Sequence, residues 1–113
     1  MSEKSPKVHL EDILTSVSRI EEYTNDLSFE NFNKDQKTID AVIRNLEIVG
    51  EAARNIPEEF SERHGNLPWR ETMNMRNKVI HEYFGVDISI LWQTIKEDLS
   101  NLKIQIKNLL DAL

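Results

Sequence analysis

The sequence contains no cysteine, and only three of its 113 residues are glycine. The lack of cysteine excludes a disulfide scaffold, a thiol nucleophile and a zinc site built on thiolates. The glycines are Gly50, Gly65 and Gly85, too far apart to form a glycine-rich loop that cradles phosphate groups. Two common ways of holding a metal or a nucleotide are therefore excluded.

Metal-binding and catalytic templates based on histidine or aspartate are also missing. His9, His64 and His81 are scattered along the chain, and none belongs to a His-Glu-x-x-His motif. No Asp-x-Asp pair is present that could hold magnesium for nucleotide chemistry. The chain contains serine, histidine and aspartate, but no local pattern supports a catalytic triad. We therefore expect neither a metal nor a cofactor.

Long apolar stretches are absent too, since none approaches the roughly 20 residues needed to span a bilayer. The N-terminus is polar and leads into no apolar segment, so no secretory signal is expected. With 39% hydrophobic and 30% charged residues, the composition is typical of a globular cytoplasmic protein without membrane contact. We expect one domain covering residues 1–113.

The net charge of −6 is unusual for a nucleic-acid-binding protein, which normally presents a basic face to phosphates. The charge is unevenly distributed, however. Residues 63–81 contain Arg63, Arg70, Arg76 and Lys78 against the single acid Glu71, a local charge of +3. A small basic site on an acidic body suits brief contact with one phosphate better than tight binding of a long nucleic acid.

Apolar residues recur at helical spacing along most of the chain, and no alternating run predicts a strand. We predict an all-α domain, an antiparallel four-helix bundle with short extra helical turns. The four main helices are predicted at residues 6–25, 35–55, 69–83 and 88–113, with short helical turns at residues 28–32 and 57–64.

Three details of this bundle follow from individual residues. Asp87 is predicted to cap the last helix. Apolar residues of that helix recur every three or four positions from Ile88 to Leu113, which predicts a continuous packing seam. Gly50, inside the second main helix, indicates either a close crossing by another helix or a functional site. Trp69 and Trp92 are predicted core residues.

The most informative stretch is residues 74–87, in which Arg76, His81 and Tyr83 form the pattern Arg-x4-His-x-Tyr. The chain resembles the HEPN superfamily through this motif, and the HepT-type toxins in particular through its flanks. Those flanks are the block Asp40–Ala53, the block Leu67–Arg70, and Phe84-Gly-Val-Asp before Leu91-Trp92. The resemblance covers nearly the whole chain from about residue 8.

The resemblance implies a HEPN-like fold and a metal-independent endoribonuclease, the toxin of a type II or type VII toxin–antitoxin pair. It implies that Arg76 and His81 are catalytic and that Asn77 and Tyr83 support them. It also implies a two-fold homodimer with the motif at its interface, or a larger assembly with the antitoxin. That antitoxin would be a minimal nucleotidyltransferase that attaches AMP to Tyr83.

The residue types are compatible with this chemistry. Histidine can exchange protons near neutral pH, and the guanidinium of arginine suits phosphate oxygens. On a straight helix Asn77 and His81 share a face, whereas Arg76 and His81 lie about 140° apart. The two would meet at one phosphate only if the Arg76 side chain bends round or if a second protomer contributes.

Structural alternatives exist for each of these residues. His81 could serve as a favourable charge at a helix C-terminus, and Arg76 could be the ion-pair partner of a glutamate. Tyr83 could be a buried aromatic at a helix end, and Asn77 could simply be solvated. Glu51 could be a polar site residue or could make a hydrogen bond between helices.

A second class of function also remains open. The chain could be a non-catalytic helical partner that binds nucleotide or presents substrate to a nucleotidyltransferase. The acidic net charge favours this alternative, whereas the intact Arg76 and His81 pair favours the nuclease. Incubation of the purified chain with RNA would distinguish the two.

Overall fold

The computed structural model describes residues 5–81 and 85–113, and at His81 the backbone alone. Within these residues the chain is mostly helical, which confirms the predicted all-α bundle. The elements in chain order are α1 (Pro6–Thr24), α2 (Phe29–Asn33), α3 (Gln36–Arg54), α4 (Glu58–Arg63), α5 (Trp69–Met73), α6 (Met75–Val79), β1 (Ile80–His81), β2 (Gly85–Val86), α7 (Ile88–Gln93), a π-helical segment (Thr94–Asp98) and α8 (Leu99–Ala112).

The core lies where α1 packs along α3 and against α8. Each helix contributes one apolar stripe, and the stripes are buried because apolar surface leaves water at about 25 cal/mol per Å². The fully buried side chains include Leu10, Ile13, Val17, Ile20, Val42, Leu46, Val49, Leu99 and Ile106. The predicted first and second main helices are therefore confirmed, as are the short helices at α2 and α4.

Three helices are preceded by side chains that accept a hydrogen bond from an amide of the first turn, those of Ser28, Asp35 and Asp87. Asp87 Oδ1 accepts a hydrogen bond from Ile90 N at 3.0 Å, which confirms the predicted cap of the last helix. Asp35 caps α3 in the same way, accepting from both the hydroxyl and the amide of Thr38. These two bonds lower the pKa of the Asp35 carboxyl from its ordinary value.

The last helix runs without a break from α7 through the π-helical segment into α8. The predicted seam is buried from Ile95 to Leu109, but it does not extend over the whole helix. Leu91 is fully buried instead of Trp92, which lies half-buried against Phe32, and Leu113 is exposed. The wider π turn adds a residue to the helical repeat, so the buried face before it is shifted relative to the face after it.

The third main helix, predicted at residues 69–83, is wrong in its extent. Two short helices replace it, α5 and α6, which meet at Asn74. Asn74 has φ −110° and ψ 10°, and its side-chain amide donates to the carbonyl oxygen of Arg70 at 3.0 Å. Asparagine often interrupts helices in this way, because its side chain competes for backbone hydrogen bonds.

The chain then leaves the helix at Ile80, whose backbone is extended, and β1 pairs with β2 in antiparallel register. Val79 and Ile80 are β-branched and so favour extended backbone over helix. Asp87 N donates to the carbonyl oxygen of Val79 at 2.8 Å, which holds the two ends of the pair together. Gly85 has φ +76°, a left-handed conformation that glycine adopts without strain.

Gly50 marks the close crossing that its position in α3 predicts. A Cβ atom at this position would lie 3.0 Å from the carbonyl oxygen of Met73, the last residue of α5. That carbonyl group has no partner within its own helix, and Arg54 Nη1 donates a hydrogen bond to it at 2.9 Å. The bare backbone at Gly50 and the guanidinium of Arg54 together fix α5 against α3.

Across the described ranges, no helix combines the length and the apolar character that a membrane span requires.

Substitution of Gly50 by valine should destabilise the protein, because the new side chain meets backbone rather than a flexible side chain. We expect a loss of about 1–3 kcal/mol in the free energy of unfolding, the usual effect of overpacking. Gly65→Val is the matched control, since a Cβ there would meet only the carbonyl oxygen of Glu62 at 3.6 Å. Urea unfolding of both variants measures the difference, and equal stabilities would contradict the close crossing.

Candidate active site

A shallow groove of about 650 Å³ lies where α6 faces the middle of α3 and the first turns of α1. Its walls carry charged and polar side chains from all three helices. The residues concerned are His9, Asp12, Arg44, Glu47, Ile48, Glu51, Ala52, Arg54, Asn55, Arg76 and Asn77. Its three arginines offer guanidinium groups to an anionic ligand, and three carboxylates balance their charge.

Arg76 is the motif residue that the structure places in this groove. It lies in α6, and its Nε atom donates to Glu47 Oε1 at 2.9 Å. Glu47 also faces Arg44, with 3.9 Å between Arg44 Nη1 and the second carboxylate oxygen. The predicted alternative, an ion pair between Arg76 and a glutamate, is therefore present in the structure.

This ion pair is too exposed to be a strong structural element. The Arg76 side chain is 45% exposed and the Glu47 side chain 41% exposed. Exposed pairs contribute only about 0–1 kcal/mol, because water and salt screen the attraction. The guanidinium can therefore exchange a carboxylate for a phosphate at little cost to the fold.

Asn77 and Glu51 also lie in the groove. Asn77 is exposed and follows Arg76 in α6, so it can reach a ligand that Arg76 binds. Glu51 accepts from Arg54 Nη2 at 3.3 Å and from the Asn55 side chain at 3.5 Å, both in or directly after its own helix. One interpretation of Glu51 was a hydrogen bond to another helix. Among the described residues its side chain makes no such bond.

The remaining motif residues are only partly described. The His81 backbone lies in β1, paired with Gly85, and Tyr83 falls outside the described residues. Because the helix ends at Val79, Arg76 and His81 do not share one straight helix. The predicted angle of about 140° between them is therefore wrong, and it no longer argues for a site shared between protomers.

His9 and Asp12 are groove residues that the sequence analysis did not identify. Both lie in the first turns of α1, and the His9 side chain is buried at 8% exposure. His9 precedes Ile13 by four positions, so a titratable residue continues the apolar stripe of the helix. That pattern is the signal that could have revealed it.

The described residues contain no cluster of three or more histidine, aspartate or glutamate side chains suited to a metal ion. The groove instead alternates acidic and basic side chains, with Glu47 beside Arg44 and Arg76, and Glu51 beside Arg54. Such a surface can bind an anion when its internal ion pairs open.

Comparison with known proteins agrees with the motif. The profile of the family "Ribonuclease HepT-like" matches residues 13–109. A "Probable ribonuclease HepT" of Thermococcus cleftensis is 53% identical over 88% of this chain and 91% of its own length. A "Putative RNase" of Caldanaerobacter subterraneus is 45% identical over 95% of this chain and 96% of its own length.

A longer relative contains the same unit. The "Gamma-glutamylcyclotransferase and putative RNase" of Methanocaldococcus jannaschii is 42% identical over 97% of this chain, which spans 50% of that protein. No solved structure matches the chain significantly.

The fold and the motif thus define an all-α protein of the HEPN type. More narrowly, the chain belongs to the HepT-like ribonuclease family.

Proposed function

We propose that this protein is a metal-independent endoribonuclease that acts as the toxin of a toxin–antitoxin pair in the cytoplasm. The observation that carries the proposal is the position of Arg76. The arginine of the Arg-x4-His-x-Tyr motif lies in a groove with two further arginines, in a chain that belongs to the HepT-like ribonuclease family. An anionic substrate would be held there by its phosphate.

The proposed reaction is an internal transesterification of RNA. The ribose 2′-oxygen loses its proton and bonds to the adjacent phosphorus, and the bond from phosphorus to the 5′-oxygen breaks. The products are a 2′,3′-cyclic phosphate and a free 5′-hydroxyl end. His81 acts as general acid and base, a contribution of about 10²–10⁴ in rate.

Arg76 stabilises the negative charge that builds up on the phosphate oxygens in the transition state. To do so, its guanidinium leaves the carboxylate of Glu47, a weak partner because both side chains are about half exposed. Asn77, next in the chain, supports the substrate or His81 from the same wall of the groove. Tyr83 assists as the last residue of the motif.

The partners in this proposal are an RNA substrate, a second copy of the chain and a minimal nucleotidyltransferase antitoxin. The antitoxin would transfer AMP from ATP to the hydroxyl of Tyr83 and release pyrophosphate. The added nucleotide brings bulk and at least one negative charge, which would exclude RNA by steric overlap and like-charge repulsion. The active toxin is proposed to be a homodimer.

The alternative is a non-catalytic partner of the nucleotidyltransferase that binds nucleotide without cleaving RNA. The net charge of −6 favours this alternative, since an acidic body disfavours contact with a long nucleic acid. A catalytic assay distinguishes the two, because only the nuclease produces cyclic-phosphate ends.

RNA cleavage should require Arg76 and His81 but no metal ion. Arg76→Ala and His81→Ala should each lose cleavage by about 10²-fold or more, the usual effect of losing a catalytic acid, base or charge stabiliser. The wild-type rate in the presence of EDTA should be unchanged. Gel analysis of a defined RNA, with mapping of the 2′,3′-cyclic ends, measures all three.

Arg19→Ala and His64→Ala are matched controls, because neither residue lines the groove. Both should cleave RNA at the wild-type rate. Cleavage that survives in both motif variants, or that stops on addition of EDTA, would contradict the proposed mechanism.

The active protein should be a dimer at micromolar concentration. A chain of 113 residues buries a small core, so a subunit interface would add stability. Light scattering during size exclusion gives the mass directly. A fully active monomer would overturn this part of the proposal. Mixing Arg76→Ala with His81→Ala subunits tests whether protomers share a site, since shared sites would regain activity in mixed dimers.

Tyr83 should be the residue that the antitoxin modifies. Tyr83→Phe should fold, keep at least part of the nuclease activity and escape neutralisation, because it lacks the acceptor hydroxyl. Intact-mass analysis after incubation with the antitoxin and ATP should show one or more AMP units on the wild type and none on the variant. Tyr23, 41% exposed in α1, provides the control, and Tyr23→Phe should be modified normally. An adduct mapped to Tyr23 would refute the assignment.

A further inference from the structure

His9 lies in the same groove as Arg76 although it is almost 70 positions away from the motif. It belongs to the first turns of α1, and only 8% of its surface is exposed. A buried histidine is usually fixed by a hydrogen bond, because an unpaired polar group in a protein interior costs stability. No hydrogen bond joins this imidazole to a described residue, and its nitrogen atoms are not among the fully buried polar atoms that lack a partner. They therefore face the groove rather than the core.

The other groove residues already have partners for their charges. Glu47 is engaged by Arg76 and Arg44, and Glu51 by Arg54. Asp12, one turn after His9 in α1, also has a bonding partner. The charged groups that share the groove with His9 are thus Asp12, Arg44, Glu47, Glu51, Arg54 and Arg76. They include three acids and three bases.

Cleavage of RNA by transesterification moves two protons. One leaves the 2′-oxygen as this atom bonds to phosphorus, and another reaches the 5′-oxygen as its bond to phosphorus breaks. A single histidine can perform both transfers only by changing its position relative to the substrate. Two imidazoles on opposite sides of one phosphate avoid that movement.

We propose that His9 is the second catalytic histidine, and that it performs one of these proton transfers while His81 performs the other. The inference rests on the proposed ribonuclease function. During each turnover one histidine gains the proton of the 2′-hydroxyl and the other gives a proton to the 5′-oxygen. Exchange with water then restores both. The imidazole nitrogens of His9, which bond to no described residue, would contact the substrate.

The experiment is a pH–rate profile for cleavage of a short oligoribonucleotide by the wild type, His9→Asn and the control His64→Asn. His64 lies at the end of α4, where its ring contacts Phe60 at a tilt, and it does not line the groove. The wild type and the control should show a bell-shaped profile. His9→Asn should lose one limb of the bell and about 10²-fold or more in rate.

A profile of His9→Asn that keeps both limbs would overturn the inference, even if the rate falls uniformly. In that case Arg76→Ala remains inactive and the ribonuclease proposal stands. Absence of cleavage by the wild type would instead refute the ribonuclease proposal and the inference with it. The two failures are therefore distinguishable.

Because His9 is buried, His9→Asn could fail to fold, which circular dichroism would reveal. The wild-type protein then provides the test by NMR of its three ¹⁵N-labelled histidines. An oligonucleotide with a 2′-deoxy sugar at the cleavage position binds without reacting. Its addition should shift the imidazole signals of His9 and leave those of His64 unchanged. Unchanged His9 signals at saturation would overturn the inference.

Discussion

The close contact between α3 and the end of α5 is the constraint on which the site depends. Gly50 lets the carbonyl oxygen of Met73 approach the helix backbone, and Arg54 donates a hydrogen bond to that oxygen. Since α6 begins two residues later, this contact determines where α6 lies along α3. Arg76 can therefore meet Glu47, which lies about one turn before Gly50 in α3. Without the glycine, α6 would have to lie further from α3.

The groove combines two kinds of arginine. Arg54 is tied to backbone and so acts mainly in building the fold. Arg76, within the described part of the chain, pairs with an exposed carboxylate that it can leave. The difference explains how one small surface can hold both a structural cation and a cation that can exchange its anion. It also explains why the interpretation of Arg76 as an ion-pair partner and its interpretation as a phosphate ligand do not exclude one another. The same guanidinium fork serves either anion.

The helices could be predicted from the sequence because each has a clear apolar repeat and a recognisable beginning. Asp35 and Asp87 both cap as their positions suggest, and α1 and α3 end within a residue or two of the predicted ends. The stretch after Trp69 was harder. Its apolar residues fit a helix, but the helix is interrupted at Asn74 and ends at the β-branched pair Val79 and Ile80. The extended backbone that follows depends on hydrogen bonds to distant residues such as Asp87.

The site was predictable in part for a similar reason. A sequence motif identifies Arg76 and Asn77 because they are close in the chain to His81. It cannot identify His9 or Glu47, which reach the groove from α1 and α3 only after these helices have packed. The π turn in the last helix could not be predicted from the sequence either. Nothing in the apolar spacing from Ile88 onward indicates where an extra residue enters the repeat.

The pairing of Arg76 with Glu47 has a consequence for how binding responds to salt. Proteins that cover phosphates with free cations release counterions from nucleic acid, and their affinity falls steeply as ionic strength rises. Here the cation already carries an internal counterion, held at 2.9 Å. A phosphate that reaches Arg76 replaces one fixed anion with another. The carboxylate of Glu47 is then left without its partner and must be hydrated or must attract another cation. If Arg76 binds RNA as proposed, it adds less to the salt dependence of that binding than an unpaired arginine would, and it selects for ligands that compete with a carboxylate.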